Sequence, residues 1–318
     1  MASAQIGIMI EGQDGLNWAR WKRLLQAVQD LGFQCLFRSD HFTNASGPDK
    51  DSLELWVSLT YAASHTTRIE FGPLVTPVTF RHPALNARMA AQVDDLSDGR
   101  LVFGLGAGWQ EREHRKFGIP FYDFPTRYEM LSDALEITAR LYLTDGPVTY
   151  EGQHFSLEDA QLLPRPSRPG GPPILIGGNG PKKTLPLVAR YADEWNALFV
   201  PVSTYKERTE ILNHHIRENG RELSDVKRSL MTGTIFARDE ADLKQQLEAR
   251  SARAGQPVTL EGLRERGMIV GTASMWVDQI GEMAEAGVER FMLQWLNQDD
   301  INGLELVARD VLPQFHGQ

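Results

Sequence analysis

The fold class is decided by residues 69–105, whose sequence is IEFGPLVTPVTFRHPALNARMAAQVDDLSDGRLVFGL. The apolar run Ile69–Val75 predicts a strand, the apolar spacing over Ala84–Leu96 predicts a helix, and Leu101–Leu105 predicts another strand. Because a helix separates the two strands, we expect them to be parallel and to be covered by helices.

The same alternation of strand and helix extends through the chain in both directions. Further apolar runs predict strands at Gln5–Ile10, Phe33–Phe37, Ile174–Ile176, Trp195–Phe199, Ser229–Ala237 and Arg290–Trp295. Amphipathic segments predict helices at Asn17–Leu31, Ser52–Ser64, Tyr128–Tyr142, Pro181–Tyr191, Thr204–Asn219, Ala241–Arg253 and Thr272–Glu285, and a closing helix from Asp300. Because eight such strands close into a (β/α)8 TIM barrel, we predict a single α/β barrel domain over residues 1–318.

One segment interrupts this alternation. Residues 147–173 are rich in Pro and Gly and lack a helical period, and Val148–Phe155 has the pattern of an extended or hairpin segment. We interpret residues 148–170 as an insertion that covers one mouth of the barrel.

Composition and charge exclude several classes of protein. The chain has 33 Lys and Arg against 42 Asp and Glu, and its net charge of −9 argues against a nucleic-acid partner. Its one cysteine, Cys35, cannot form an intrachain disulfide. There is no apolar run of about 18 residues and no secretory-signal pattern, so we expect a cytoplasmic protein without a membrane partner.

In barrels of this kind the functional residues lie where the strands end. The predicted strand ends supply Glu11, Asp40, His41, Thr76, Pro77, Gly106, Ala107, Gly108, Trp109, Gly177, Gly178, Asn179, Gly180, Gln294 and Trp295. A histidine beside a carboxylate, as in Asp40–His41, can donate a proton, orient a cofactor, bind a metal or merely cap a loop. We expect no metal site and disfavour a metal-dependent hydrolase, because the histidines show no paired ligand spacing.

Two glycine-rich loops are candidate cofactor sites. Gly104–Gly108 follows a strand and either admits a flat ligand or packs the loop tightly; it is not the dinucleotide fingerprint, because Trp109 stands where that motif needs glycine. Gly177–Gly180 precedes a predicted helix with Pro181 at its first position. The amides of that first turn predict an anion site, with an ordinary loop as the alternative.

Several motifs, taken in order, resemble one family. They are Leu31–Phe33, Ser39–Phe42, Gly72–Thr76, Asp95–Leu101 continuing into Gly104–Trp109, Tyr150–Gly152, Pro172–Gly180 and Gly271–Thr272. This ordered set resembles the bacterial-luciferase-like flavin and deazaflavin oxidoreductases, and the resemblance covers the chain from about residue 5 to residue 295. The resemblance implies a barrel that binds a flavin-type ring at the carboxyl ends of its strands and commonly pairs as a homodimer.

The resemblance also implies roles for individual residues. Asp40 and His41 would lie near the ring, Thr76 would touch its edge, and Gly178–Gly180, following Gly177, would bind its phosphate. Gly106, Ala107 and Gly108 would border the ring, and a non-prolyl cis bond would occur at Pro73–Leu74. Ser39–Phe42 is more similar to the branch that uses coenzyme F420 than to the FMN monooxygenases. Trp109 stands where sugar-phosphate-oxidising members have a carboxylate, which argues against their alcohol-oxidation chemistry.

We therefore predict an oxidoreductase that transfers a hydride between coenzyme F420 and a small organic substrate. His41 is the candidate catalytic group, with Asp40 positioning or tuning it. The predicted substrate pocket comprises Glu11, Phe42, Trp109 and Trp295. The alternatives are an FMN-dependent monooxygenase that uses O2 and a non-catalytic flavin-binding protein.

Overall fold

The computed structural model describes residues 3–315. The strands are β1 (Gln5–Ile10), β2 (Cys35–Arg38), β3 (Glu70–Pro73), β4 (Thr76–Pro77), β5 (Phe103–Gly106), β6 (Val148–Glu151), β7 (Ser156–Ala160), β8 (Ile174–Gly177), β9 (Glu194–Leu198), β10 (Lys227–Phe236), β11 (Ile269–Gly271) and β12 (Arg290–Gln294). The α-helices are α1 (Trp18–Asp30), α2 (Leu55–His65), α3 (Pro83–Leu96), α4 (Glu111–Phe117), α5 (Phe124–Leu143), α6 (Thr184–Tyr191), α7 (Val202–Glu218), α8 (Glu240–Ala254), α9 (Leu260–Glu265), α10 (Ala273–Glu285) and α11 (Ile301–Asp310).

The main sheet is a barrel of parallel strands. Its order is β3, β2, β1, β12, β10, β9, β8, β5, β4, and every pairing in this series is parallel. The strands β3 and β4 are two segments of one interrupted strand, and a parallel bridge between Phe71 and Leu101 also joins β3 to the chain that leads into β5. The circle of eight strands is thereby closed, which confirms the predicted TIM barrel. The assignment of all 318 residues to one domain stays a prediction.

The interruption of the third strand corrects one expectation. The cis peptide bond lies between Leu74 and Val75, so the expected position at Pro73–Leu74 is wrong by one residue. The amide of Leu74 donates to the carbonyl of Arg38 (2.8 Å), which keeps the pairing with β2 up to this point. Pairing with β5 resumes at Thr76.

The predicted insertion is a hairpin. The strands β6 and β7 pair antiparallel, separately from the barrel. Tyr150 donates its hydroxyl hydrogen to Asp133 on α5 (2.8 Å), and the amide of His154 donates to the same carboxylate (2.8 Å). This carboxylate therefore holds the hairpin against α5 on the side of the barrel. No residue of 148–170 lines the cavity at the barrel mouth, so the expectation that this insertion covers a mouth finds no support there.

The helix after β8 begins later than predicted. It starts at Thr184, and Pro181 lies in the turn before it, because the amide of Leu185 donates to the carbonyl of Gly180 (3.0 Å), one residue further back than in an α-helix. The prediction of Pro181 at the first helical position is therefore wrong. The short elements α4, α9 and β11 were not predicted, since they are too short to show a period.

The two ends of the barrel differ. At the end where the strands begin, Arg290 donates to Glu194 (2.9 Å), Glu70 and Gln5 (2.9 Å), and this polar cluster closes the barrel. Above it lies an apolar layer that includes Met9, Phe37, Val102, Leu175, Met231 and Met292. None of the helices in residues 3–315 has both the length and the apolar character needed to cross a membrane.

Candidate active site

A cavity of about 380 Å³ opens at the carboxyl ends of the barrel strands. Each of the eight strands of the circle, or the loop that follows it, supplies at least one lining residue: Met9, Glu11, Gln13, Ser39, His41, Leu74, Val75, Pro77, Gly106, Ala107, Gly108, Trp109, Glu113, Gly177, Asn196, Leu198, Phe199, Met231 and Gln294. Most of the walls are apolar, with a few polar groups at defined places, as is usual for a small-molecule site. The position agrees with the rule used to select candidates from the sequence.

The main titratable pair in the cavity is His41 and Glu113. The Nδ1 atom of His41 lies 2.7 Å from Oε1 of Glu113, and the amide of Phe42 donates to Oε2 of the same carboxylate (2.8 Å). Burial lowers the pKa of His41, but the hydrogen bond and charge of Glu113, with smaller contributions from Glu11 and Asp40, outweigh burial and raise this pKa above its ordinary value. Glu113 thus fixes the ring of His41 and favours its charged form.

We expect Glu113→Gln to lower the pKa of His41, because the ring stays buried but loses its counter-ion. In the unsubstituted protein, the His41–Glu113 pair stabilises the fold fully when the pH is below the ordinary histidine pKa of about 6.5. This stabilisation is lost as the pH rises through the raised pKa that His41 has in the folded protein. An NMR titration of the His41 ring measures the shift directly. Glu111→Gln, at an exposed position on the same helix, is the matched control. A midpoint that stays the same or rises in Glu113→Gln contradicts this assignment.

Trp109 lies beside His41. The two rings meet edge to face, with centroids 5.5 Å apart and planes at 78°, and Trp109 is 63% exposed. Phe199, which is also partly exposed, lines the same cavity. We interpret these two aromatic side chains as the rim of the site.

The structure places Phe42 and Trp295, two members of the predicted substrate pocket, outside the cavity lining. Phe42 stacks on Phe80 with centroids 4.5 Å apart, and Trp295 is 6% exposed and donates its indole hydrogen to the carbonyl of Asp300 (3.2 Å). Both rings are engaged in packing within the protein.

Asp40 and Thr76 lie behind the cavity wall. Thr76 donates its hydroxyl hydrogen to Asp40 (2.8 Å), and Arg81 forms an ion pair with the same carboxylate (2.5 Å). Both side chains are buried and neither lines the cavity. Asp40 therefore acts on His41 through its charge and not through a hydrogen bond.

Glu11 follows β1, the strand next to β2, and is held in the cavity wall by amides. Its two carboxylate oxygens accept hydrogen bonds from Gln294 (2.7 Å) and Gln13 (2.9 Å), and Gln13 in turn accepts one from the hydroxyl of Ser39 (2.6 Å). The backbone carbonyl of Glu11 also accepts a hydrogen bond from Gln298 (2.7 Å). The carboxylate therefore has a fixed position and neutral donors.

The inner wall of the cavity contains a buried polar atom without a partner. Asn196 donates through Nδ2 to the hydroxyl of Ser229 (2.9 Å), whereas its Oδ1 accepts no hydrogen bond from the described residues. The residue is fully buried and lines the cavity. Such an orphaned acceptor fits a ligand that offers an N–H or O–H group.

The glycines after β5 and β8 have different roles. An added Cβ at Gly104 would come within 2.1 Å of the carbonyl oxygen of Pro73, and one at Gly106 within 2.4 Å of Val75. Those two glycines therefore let the interrupted third strand pack closely against β5. At Gly177 a Cβ would meet only Val75, at 3.5 Å, so this position faces open space in the cavity.

Gly178, Asn179 and Gly180 lie outside the cavity lining. The side chain of Asn179 donates to the carbonyl of Leu198 (2.7 Å) and accepts a hydrogen bond from the amide of Leu198 (3.0 Å). These two hydrogen bonds hold the loop at the end of β9. An added Cβ at Gly180 would come within 2.9 Å of Thr184. The loop therefore forms a rigid edge beside the mouth, where its phosphate-binding role stays a prediction.

Glu113, Gln13, Asn196 and Phe199 were not among the sequence candidates. Glu113 belongs to the polar run EREHRKF, and its partner His41 is 72 positions away in the chain. No local pattern reveals such a contact. Within residues 3–315, no group of three or more His, Cys, Asp or Glu side chains is arranged to hold a metal ion.

A barrel in which each strand of the circle contributes to one cavity, with an acid–base pair in its wall, has the arrangement of a barrel enzyme with a small-molecule site. A family model described as luciferase-like monooxygenase matches residues 2–290. The chain belongs to this family, whose members are F420- or FMN-dependent oxidoreductases and monooxygenases.

The similar proteins include both F420-dependent enzymes and monooxygenases. The chain is 26% identical over 321 residues to an F420-dependent glucose-6-phosphate dehydrogenase of Intrasporangium calvum, covering 91% of this chain and 92% of that one. It is 27% identical over 343 residues to a 4-hydroxyprotoasukamycin monooxygenase of Streptomyces nodosus subsp. asukaensis, covering 96% and 89%. The structure of an F420-dependent secondary alcohol dehydrogenase superposes with a TM-score of 0.83 at 22% identity and full coverage of both chains, which shows the shared fold.

Proposed function

We propose that this protein transfers a hydride between coenzyme F420 and a small organic substrate. The observation that carries the proposal is the His41–Glu113 pair at the side of an apolar cavity at the barrel mouth. The sequence Ser39–Phe42 supports this cofactor over FMN, and a relative named for F420 is consistent with it. The cavity volume of about 380 Å³ lies near the lower end of the range for ligand sites, which favours a small substrate beside a flat ring.

The residues present fit a planar ring with polar edges. Leu74, Val75 and Gly106–Gly108 would flank the ring, and the orphaned Oδ1 of Asn196 would accept a hydrogen from its N–H edge. The loop Gly177–Gly180 would receive the phosphate beside the exposed Lys182 and Lys183. When bound, a deazaflavin supplies hydride donation or acceptance, which the protein side chains cannot provide.

The protein's own contribution is orientation and proton transfer. Because Glu113 engages Nδ1 of His41, the Nε2 atom is left to hold a proton for the substrate oxygen or to take one from it. The negative charges of Asp40 and Glu11 act on the imidazole of His41 and favour its protonated form. Trp109 and Phe199 at the rim limit the entry of water.

The cofactor assignment is tested by titrating the cofactor-free protein with coenzyme F420 and with FMN in parallel, and following the absorbance of each ring. Binding of F420 supports the proposal. Binding of FMN alone with oxygen-dependent turnover indicates the FMN monooxygenase, for which the monooxygenase relative is the specific argument. Binding without turnover on a broad substrate panel indicates a non-catalytic flavin-binding protein, and binding of neither ring contradicts the proposal.

A steric variant tests the position of the ring. We expect Gly177→Leu to abolish cofactor binding within the range of the titration, because the new side chain would extend into the cavity. The fold should persist, since a Cβ at this position meets only Val75 at ordinary contact distance. Gly146→Leu is the control, because a Cβ there meets nothing within 4 Å. Unchanged cofactor affinity in a folded Gly177→Leu protein would place the ring elsewhere.

The cellular location and the oligomeric state of the protein are also proposals. We place it in the cytoplasm, and we expect it to form a homodimer, as the family resemblance implies. Size-exclusion chromatography with light scattering measures the oligomeric state directly. A small-molecule substrate, and no nucleic acid or membrane, is the expected partner.

A further inference from the structure

The charges in the cavity wall restrict the substrate. Within the described residues the lining contains two carboxylates, Glu11 and Glu113, and no Lys or Arg. The positive charge of His41 is matched by Glu113 at 2.7 Å, so it is not free to neutralise an anionic substrate. Glu11 is therefore the lining carboxylate that has no cation paired directly with it.

The nearby arginines are not placed to pair directly with a ligand in the cavity. Arg81 is engaged by Asp40 and Glu54, and Arg38 donates to the hydroxyl of Ser58 and to the carbonyls of Ser39 and Leu53. The Arg38 side chain is fully buried behind the wall. Moving either guanidinium into the cavity would leave buried acceptors unpaired, which is costly.

Glu11 also has unused acceptor capacity. A carboxylate offers about four lone-pair positions, and from the residues that the structure describes the side chain of Glu11 accepts two amide hydrogens, those of Gln13 and Gln294. Those neutral amides fix the group without cancelling its charge. A hydroxyl or ammonium group of a ligand can therefore bind to it, whereas a carboxylate or phosphate would be repelled.

We propose that the site selects a substrate without negative charge, which donates a hydrogen bond from a hydroxyl or amine to Glu11. This inference rests on the proposed function, because it assumes that a substrate shares the cavity with the ring. The like-charge repulsion from Glu11 rejects anions, and the apolar walls bind the remainder of the molecule. Specificity for substrate charge is thereby assigned to Glu11.

The test uses the F420-loaded protein and three probes with one carbon ring: cyclohexanol, an aminocyclohexanol and a hydroxycyclohexanecarboxylate. Isothermal titration calorimetry at neutral pH measures each affinity. We expect the aminocyclohexanol to bind at least about tenfold more tightly than the carboxylate, given the strength of one charge pair at a partly buried site. Glu11→Gln, which keeps the shape and removes the charge, should reduce this ratio toward unity, and the exposed control Glu111→Gln should leave it unchanged.

Several outcomes overturn the inference. These are tighter binding of the carboxylate, an unchanged ratio in Glu11→Gln, and no measurable binding of the aminocyclohexanol at millimolar concentration. A protein that binds neither F420 nor FMN contradicts the proposed function itself. A protein that binds the cofactor and prefers the anionic probe contradicts only the assignment to Glu11.

Discussion

Replacing His41 with alanine is expected to lower kcat by about 100- to 10,000-fold, the usual contribution of a positioned general acid or base. The reason is that His41 is the one imidazole that lines the cavity among the described residues, and its Nδ1 is engaged by Glu113. Steady-state kinetics with the loaded enzyme measure the loss. Circular dichroism should show an intact barrel.

A second variant separates catalysis from structure. The alanine leaves the buried Glu113 carboxylate with the amide of Phe42 as its remaining partner, which can weaken the fold. His41→Asn places an amide nitrogen at the position of Nδ1 and can still donate a hydrogen bond toward Glu113, but it cannot carry a proton at neutral pH, so it should lose activity to a similar extent. His65→Ala, at an exposed histidine on α2, is the control. Unchanged kinetics and cofactor affinity in both His41 variants would remove this residue from the site.

Replacing Arg290 with methionine is expected to lower the free energy of unfolding by about 3–5 kcal/mol. Arg290 and Glu194 are both almost completely buried at the closed end of the barrel, and their side chains are 2.9 Å apart. Removing the guanidinium leaves the Glu194 carboxylate in a medium of low polarity without a counter-ion. Chemical unfolding measures the difference.

The same position allows a rescue experiment. Adding Glu194→Gln to the Arg290→Met protein removes the unpaired charge and should restore part of the lost stability. Arg309→Met, which breaks the exposed pair with Asp310, should leave the unfolding midpoint unchanged. If Arg290→Met unfolds at the same denaturant concentration as the original protein, the cluster does not stabilise the barrel.

Much of the fold was predictable because its signals are local. Each predicted barrel strand overlaps an observed strand, since buried parallel strands are short apolar runs between helices. The errors occur where the backbone departs from regular structure, at the Leu74–Val75 interruption and at the turn around Pro181. In both places hydrogen bonds to distant strands or to the preceding loop decide the conformation, and no periodic pattern records them.

The position of the candidate site in the barrel was predictable, whereas the side chains that line it were less so. The rule that strand ends form the site selected Glu11, His41 and Trp109, all of which line the cavity. The same rule also selected Trp295, which packs into the protein, because a residue's place in the chain does not fix the direction of its side chain. Asp40 was selected beside His41, but its carboxylate points to Thr76 and Arg81.

The sequence by itself determined the barrel, the hairpin insertion and the end of the barrel at which the cavity lies. These follow from the order and spacing of apolar runs along the chain. The tertiary structure alone decided that Glu113 and not Asp40 is the hydrogen-bonding partner of His41, and that neutral amides rather than a cation hold Glu11. The physical reason is that closing the barrel brings together side chains from separate strand–loop units, and their distances depend on that closure rather than on their positions in the sequence.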